Sequence, residues 1–391
     1  MIYLDNAATT APLAQVRAAM CRAMETEWAN PSSVHGAGVQ ARALVEENRR
    51  RIAFAMGIRR ETEGRILFTG SGTEADNLAI LGAVYAKNRP VKNGSRGKIL
   101  ATDSEHPAVE MCLRALEADG FTVCRIPTRG GALDMDFIRE NAAGVILATL
   151  MLVNNESGAL YDVRGAFRAV RAVSPEAVTH TDAVQAFGKV RFSPAALGAD
   201  MVTVSGHKIG GPKGIGALYV SADTIRAKRL VPRTLGGGQE SGFRSGTENV
   251  PGIAGFGEAA RLAAGNFEEN LAAVQAARDA FLARLAQAAP DVCVHGVAAG
   301  IPHIVSLRVP GVRSEIMLNH LSAAGICVSA GSACSARAKS ESRAMVAYGL
   351  TPEEADETVR VSFCPANTEA EAIRAAEEIA AGYAHLAKKR V

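Results

Sequence analysis

The stretch Ile66-Leu67-Phe68-Thr69-Gly70-Ser71-Gly72-Thr73-Glu74-Ala75 decides the reading of this chain. An apolar, β-rich run enters a tight glycine turn, and the turn opens a helix. Glycines let a backbone approach a ligand closely. The free amides and positive dipole end of a helix start favour an anion such as phosphate. The same residues fit G-x-G-x-x-A, the turn of dinucleotide-binding proteins. That pattern expects an acid about 20 residues on, whereas the candidate, Asp103, lies 31 residues beyond Gly72. A nicotinamide cofactor is therefore disfavoured, and with no Gly-Lys-Ser/Thr after the turn a nucleoside-triphosphate loop is poorer still. On its own, the turn is equally well an ordinary βα connection.

Outward from this turn, helical periodicity covers residues 39–56, 73–85 and 107–118, and β-rich runs cover 65–69, 98–102 and 121–126. The alternation continues with runs at 144–150, 177–181 and 201–204. This is the pattern of a mainly parallel sheet covered by helices on both faces, with ligands at the carboxyl ends of its strands. A glycine-rich stretch at 235–246 is followed by helices at about 251–264 and 267–288. The remainder reads as strand 303–309, helix 314–324, strand 358–363 and a last helix opened by Thr368-Glu369-Ala370-Glu371, a capping-box pattern. The expected organisation is a large domain over residues 15–261 and a smaller α+β domain over 262–391, joined by the segment 1–14.

With 391 residues, 48% hydrophobic and 21% charged, the chain has ample apolar side chain for a folded core, which excludes disorder. Its net charge of +3 is spread without long runs of one sign, so no nucleic-acid partner is expected. The basic ending Lys388-Lys389-Arg390 reads as a solvated tail. The longest apolar run, 142–153, contains Gly144 and Thr149. It falls short of the roughly 20 residues that span a bilayer and reads as a buried strand. No basic segment leads into an apolar stretch at Met1-Ile2-Tyr3-Leu4-Asp5, so a cytoplasmic location and no membrane partner are expected. The seven cysteines form no C-x-x-C pair and leave an odd one, which indicates neither a disulfide framework nor a metal site. Cys21, Cys112, Cys124, Cys293, Cys327 and Cys364 read as small buried hydrophobes.

Chemistry is suggested at three further places. In Val204-Ser205-Gly206-His207-Lys208 an apolar strand ends in a polar loop that puts a lysine at the ligand edge of the sheet. Partial desolvation there would free the amine for Schiff-base formation. The competing reading is a snorkelling surface lysine. In Val178-Thr179-His180-Thr181-Asp182 a strand ends in an acid 26 residues before Lys208. A carboxylate so placed can keep a ring nitrogen protonated. Pyridoxal phosphate needs such an acid, a lysine and a phosphate cradle, and all three fall at strand ends of one alternating region. Finally, residues 329–340 include no large apolar side chain and carry one thiol, Cys334, with Arg337 and Lys339 close enough in sequence to favour its thiolate. The segment reads as an exposed, mobile loop.

These residues resemble those of the cysteine desulfurases, pyridoxal-phosphate enzymes of the fold-type I, class V aminotransferase group. The likeness runs through Leu4-Asp5-Asn6-Ala7-Ala8-Thr9-Thr10, Asn30-Pro31-Ser32-Ser33, Gly72 to Asn77, Glu105-His106 and Asn154-Asn155-Glu156. It continues through Asp182 to Gln185, Ser205-Gly206-His207-Lys208, Arg244 to Asn249 and Gly331-Ser332-Ala333-Cys334. It implies an α/β fold whose large domain holds a mainly parallel seven-stranded sheet sandwiched by helices, beside a smaller α+β domain. It implies that Lys208 carries pyridoxal 5'-phosphate, Asp182 pairs with the pyridinium nitrogen and His106 stacks on the ring. Asn155 and Gln185 would contact the ring oxygen. Gly72, Thr73, Ser205 and His207 would hold the phosphate, with Thr247 reaching in from the second subunit of a homodimer. Arg360 would clamp the substrate carboxylate, with Asn30 and Asn155 nearby.

The activity implied is conversion of L-cysteine to L-alanine, with sulfur passing to Cys334 as a persulfide. The length of the loop from Cys334 to Gly349 resembles the branch associated with iron–sulfur assembly and tRNA thiolation. Iron–sulfur supply through a scaffold acceptor is the preferred reading. Two departures from the family pattern each remove a positive charge: Ser241 stands where arginine is common, and Cys364-Pro365 replaces a common Gly-Arg. A selenocysteine lyase or a plain class V aminotransferase would use the same cofactor residues and differ in the use of Cys334.

Overall fold

The computed structural model describes residues 1–87, 94–330 and 343–387. Cys334, its neighbours Arg337 and Lys339, and the basic ending lie outside the described residues. Seven strands form the main sheet: β1 (Gly64–Thr69), β2 (Lys98–Thr102), β3 (Thr122–Ile126), β4 (Val145–Met151), β5 (Val178–Asp182), β6 (Met201–Ser205) and β7 (Gly216–Ser221). Their order is β1-β7-β6-β5-β4-β2-β3. All pairs are parallel except those of β7, which runs antiparallel to both β1 and β6. The carboxyl ends of the other six strands consequently share one edge. The sequence reading anticipated these strands within a residue or two, apart from β7, which it did not single out.

Alternation along each strand divides the core in two. Leu67, Ile99, Ala101, Leu147 and Leu218 pack under Leu78, Ala79, Val109 and Leu113 of helices α3 (Gly72–Val84) and α4 (Pro107–Ala118). The opposite faces, with Phe68, Leu100, Leu150, Val202 and Val204, lie against Val45, Ile52 and Phe256. Those three come from α2 (Gly36–Ala55), which follows α1 (Ala14–Thr26), and from the helix Val250–Gly265. Burying a large aliphatic or aromatic side chain this completely contributes roughly 1.5–3 kcal/mol.

A separate core joins β8 (Ile304–Arg308) and its antiparallel partner β9 (Thr358–Ser362) to the long helices Phe267–Ala288 and α5 (Glu369–Leu386). Thr368 and Glu371 form the expected capping box at the start of α5. Leu4 is fully buried in this second core, and Ser362 N–H donates to its carbonyl at 2.7 Å. From there the N-terminal segment runs to the main sheet, where Thr10 N–H donates to the His207 carbonyl at 2.9 Å. Residues 5–10 are thus a strap between β9 and the end of β6. Among the described residues no helix is long and apolar enough to cross a membrane.

The expectation of six buried cysteines is corrected at two positions. Cys21 is exposed on the outer side of helix Ala14–Thr26, and Cys293 is exposed on the short edge strand Cys293–Val294. Apolar neighbours in sequence did not reveal which face of a helix or edge strand each thiol occupies. Cys112 is buried, and Cys124, Cys327 and Cys364 are half-buried.

Candidate active site

The glycine turn and the lysine loop meet across one residue. Thr69 of β1 and Ser205 of β6 both pair with Gly216 of β7. A Cβ added to Gly216 would fall 2.5 Å from the Ser71 carbonyl carbon and 2.8 Å from the Gly72 nitrogen, so glycine is needed for the turn to lie over this strand. Ser71 caps α3 by accepting from Glu74 N–H at 3.1 Å. The first helical amides, those of Gly72 and Thr73, have no intrahelical acceptor and remain for an anion. Gly72 is buried beside Ser205, to whose Cβ a Gly72 Cβ would stand at 3.5 Å, and Thr73 is exposed.

After β6 the chain makes a single tight turn, Gly206–Lys208. This places Lys208 inside the site rather than on the surface. Its Nζ donates to the carbonyls of Ala7 at 2.6 Å and Ala8 at 2.8 Å. Asp182 ends the neighbouring β5, in register with Thr203. It is buried, and its Oδ1 accepts from Val184 N–H at 2.9 Å. Burial pushes the Asp182 carboxyl up, against the pull of that N–H and of the Lys208 charge. Beneath it, His180 spans the sheet from Thr149 Oγ1 (2.8 Å) to Thr203 Oγ1 (3.0 Å), and burial lowers it to about 3. The ring is a neutral crossbar that ties β4, β5 and β6 together below Asp182.

His106 caps α4, its Nδ1 accepting from Ala108 N–H at 3.1 Å. Burial and the charge of Lys208 lower it to about 4, so the ring is neutral and suited to stacking. Behind it, Glu105 accepts from Thr102 Oγ1 at 2.7 Å and Met151 N–H at 2.9 Å. Burial raises the Glu105 carboxyl to about 8. His207 meets Thr9 through Nδ1 and Oγ1 at 3.2 Å, and is lowered to about 4 by burial and then by Lys208. The Gln185 amide donates to the Ala7 carbonyl at 2.8 Å and accepts from Lys189 at 3.0 Å.

Arg360 approaches from β9. Only 2% of the residue is exposed, so what its guanidinium meets is decided inside the protein. Its terminal nitrogens donate to the Asn155 carbonyl and to Asp5 Oδ1, both at 2.8 Å, while its Nε is buried without a partner among the described residues. The structure therefore assembles Lys208, Asp182, His106, Gln185, Ser205, His207 and the Gly72 turn at one sheet edge, and joins Asn155 to Arg360. It does not bring Thr247 or Asn30 into that group. Thr247 is exposed in the segment after β7, and the exposed Asn30 turns its amide oxygen onto Ser32 N–H at 2.9 Å.

Sequence reasoning did not give roles to the carbonyls of Ala7 and Ala8, to Asp5 or to Lys189. The first three lie in a segment noticed only for its resemblance: Ala7 and Ala8 act through backbone acceptors, which carry no side-chain signature, and Asp5 acts on an arginine distant in sequence. Lys189 stands four residues after Gln185, the spacing at which two side chains on one helical turn meet, and that spacing was available as a signal.

A mostly parallel sheet with helices on both faces, and a lysine leaving the strand beside a buried strand-end acid, is a fold-type I transferase architecture. The chain belongs to the aminotransferase class-V family, whose model matches residues 2–374. Its relatives include the cysteine desulfurase of Trichormus azollae, 38% identical over 380 residues covering 96% of this chain and 91% of that protein. A solved NifS-like protein superposes with a TM-score of 0.87 at 30% identity, over 97% of this chain and 98% of that one. A structure described as SspA in complex with cysteine gives a TM-score of 0.78 at 28% identity, over 93% and 99% of the two chains.

Proposed function

We propose that this chain is a pyridoxal-phosphate-dependent cysteine desulfurase that converts L-cysteine to L-alanine and carries the sulfur on Cys334. The observation that carries the reading is the placement of Lys208 beside the buried Asp182, at the strand edge that also holds the Gly72 helix start. The residues fit the cofactor. A carboxyl pushed up by burial gains from a cationic ring nitrogen, a neutral His106 suits a ring face, and two helix-start amides suit a phosphate. Lys208 would hold the aldehyde carbon, Asp182 the ring nitrogen, and Gln185 with Asn155 the ring oxygen. Gly72, Thr73, Ser205 and His207 would hold the phosphate, and Thr247, exposed in one chain, would complete the cradle of a partner in a homodimer.

When bound, the cofactor supplies an electron sink for the charge left by a departing α-proton. Arg360 receives the substrate carboxylate through its two terminal nitrogens, in competition with Asp5. Lys208 Nζ, released from the Ala7 and Ala8 carbonyls, moves the α-proton. The Cys334 thiolate attacks the substrate sulfur. An S–S bond forms as the substrate's Cβ–S bond breaks, and that bond's electron pair stays with the carbon skeleton, which is protonated and leaves as alanine. The persulfide then serves a sulfur-acceptor protein such as an iron–sulfur scaffold. The cysteine-bound solved structure and the relatives named cysteine desulfurase support cysteine as the substrate.

Incubating the holoprotein with cysteine and measuring alanine together with intact protein mass tests this reading. The expected result is stoichiometric alanine and a gain of one sulfur atom at Cys334, with Cys334→Ala keeping the visible band and losing the sulfur adduct. Full desulfuration by Cys334→Ala would remove the assigned nucleophile.

A further inference from the structure

Lys189 takes no part in the chemistry above, yet it lies among its components. The charges of Lys208 and Arg360 act on it, Cys364 faces it, and its own charge acts in turn on His207 and His303. Its Nζ donates to Gln185 Oε1 at 3.0 Å. An ammonium only donates and a carbonyl oxygen only accepts, so this bond fixes which way the Gln185 amide points. The other edge of that amide, Nε2, donates to the Ala7 carbonyl at 2.8 Å. Lys208 Nζ donates to the same carbonyl at 2.6 Å. One backbone oxygen therefore gathers the amide donor and the reactive amine, and Lys189 closes the arrangement from the far side. Were the amide reversed, its oxygen would face the Ala7 carbonyl and its NH2 would face an ammonium, two repulsive contacts in a buried setting.

We infer that Lys189 is a positioning residue, which locks the Gln185 amide with its donor edge toward Lys208 and the cofactor's ring oxygen. The inference rests on the proposed reading of Lys208 as the cofactor lysine. Burial, and then the neighbouring charge of Lys208, lower Lys189 to about 7. The lock is therefore firmest below about pH 7, where the Lys189 amine carries its proton and can only donate to the Gln185 oxygen.

The test compares Lys189→Met, Lys189→Arg, Gln185→Ala and the Lys189→Met/Gln185→Ala pair by pyridoxal phosphate titration and by pH titration of the visible band. Losing one charged hydrogen bond predicts a roughly tenfold rise in the cofactor dissociation constant for Lys189→Met. The band's pH midpoint should move upward, because a positive charge beside the titrating cationic nitrogen has gone. Lys189→Arg keeps charge and donor, and should stay within about twofold of wild type. In the Gln185→Ala background, Lys189→Met should add less than about twofold, since the group through which it acts is absent.

An unchanged dissociation constant and midpoint in Lys189→Met, or a full tenfold loss that persists without Gln185, overturns the inference. Thermal melting of the apoproteins separates misfolding from loss of positioning, and Lys189→Arg decides the matter if the methionine variant does not fold. Wild-type protein that takes up no cofactor and gives no borohydride-fixed adduct at Lys208 overturns the proposed function itself. Normal uptake by wild type with a wild-type-like Lys189→Met overturns only the role of Lys189.

Discussion

The two halves of the site are built in different ways. On the main-sheet side, Asp182, Ser205, Lys208 and the Gly72 turn hang from the ends of strands whose register is set by ladder hydrogen bonds and by close packing over Gly216. On the other side, Arg360 projects from an antiparallel strand into an ion pair with Asp5 and a bond to the Asn155 carbonyl. The first half is rigid because backbone geometry places it, and the second because charge does. A rigid sheet edge suits a permanently held group. An arginine already paired suits a ligand that must come and go, since an arriving carboxylate replaces one anionic partner with another. The strap of residues 5–10 touches both halves, giving Asp5 to Arg360 and the Ala7 and Ala8 carbonyls to Lys208.

The sharpest way to break this contrast is Lys208→Ala. It should abolish the visible band and lower turnover by roughly 10⁴-fold, because covalent attachment and proton transfer both use Nζ. Retention of either property would move the reactive amine elsewhere. A smaller effect is expected from Arg360→Lys, which keeps the charge but loses the fork that can grip a carboxylate. KM for cysteine should rise roughly 10- to 100-fold with a smaller change in kcat, and the visible band should be unaffected. Steady-state kinetics check this. A drop in kcat at constant KM would show that Arg360 serves the reacting atoms rather than substrate capture.

The same contrast explains what could be read from the sequence. Strand-end chemistry was legible because the periodicity that marks β5 and β6 also marks where they stop, so Asp182 and Lys208 were located before any fold was known. The helix start at Gly72 was legible for the same reason. Arg360 came only from resemblance, since an arginine within Thr358–Ser362 looks like any residue of a half-exposed strand until its complete burial is known. The strap was opaque because it meets Lys208 through two carbonyl oxygens, and because the partner of Asp5 is an arginine 355 residues away in the sequence. Lys189 was passed over because Phe187-Gly188-Lys189 reads as the exit of a turn, and what makes that lysine unusual is a tertiary setting shared with Lys208 and Arg360.

The smallest predicted effects compare two helix caps, one in each region. Ser71 accepts from Glu74 N–H at the start of α3, and Thr368 accepts from Glu371 N–H at the start of α5. Each alanine replacement removes one side-chain acceptor and should cost about 1 kcal/mol of stability, read from denaturant midpoints. Their consequences for binding should differ. Ser71 holds in place the turn whose amides, at Gly72 and Thr73, are left for an anion, so Ser71→Ala should also weaken pyridoxal phosphate binding several-fold. Thr368→Ala, in the second core and away from the cradle, should leave that affinity unchanged. Equal loss of affinity in the two variants would mean that the helix start at Gly72 is ordered by the surrounding sheet rather than by its cap, and that the phosphate cradle belongs to β1 and Gly216 more than to α3.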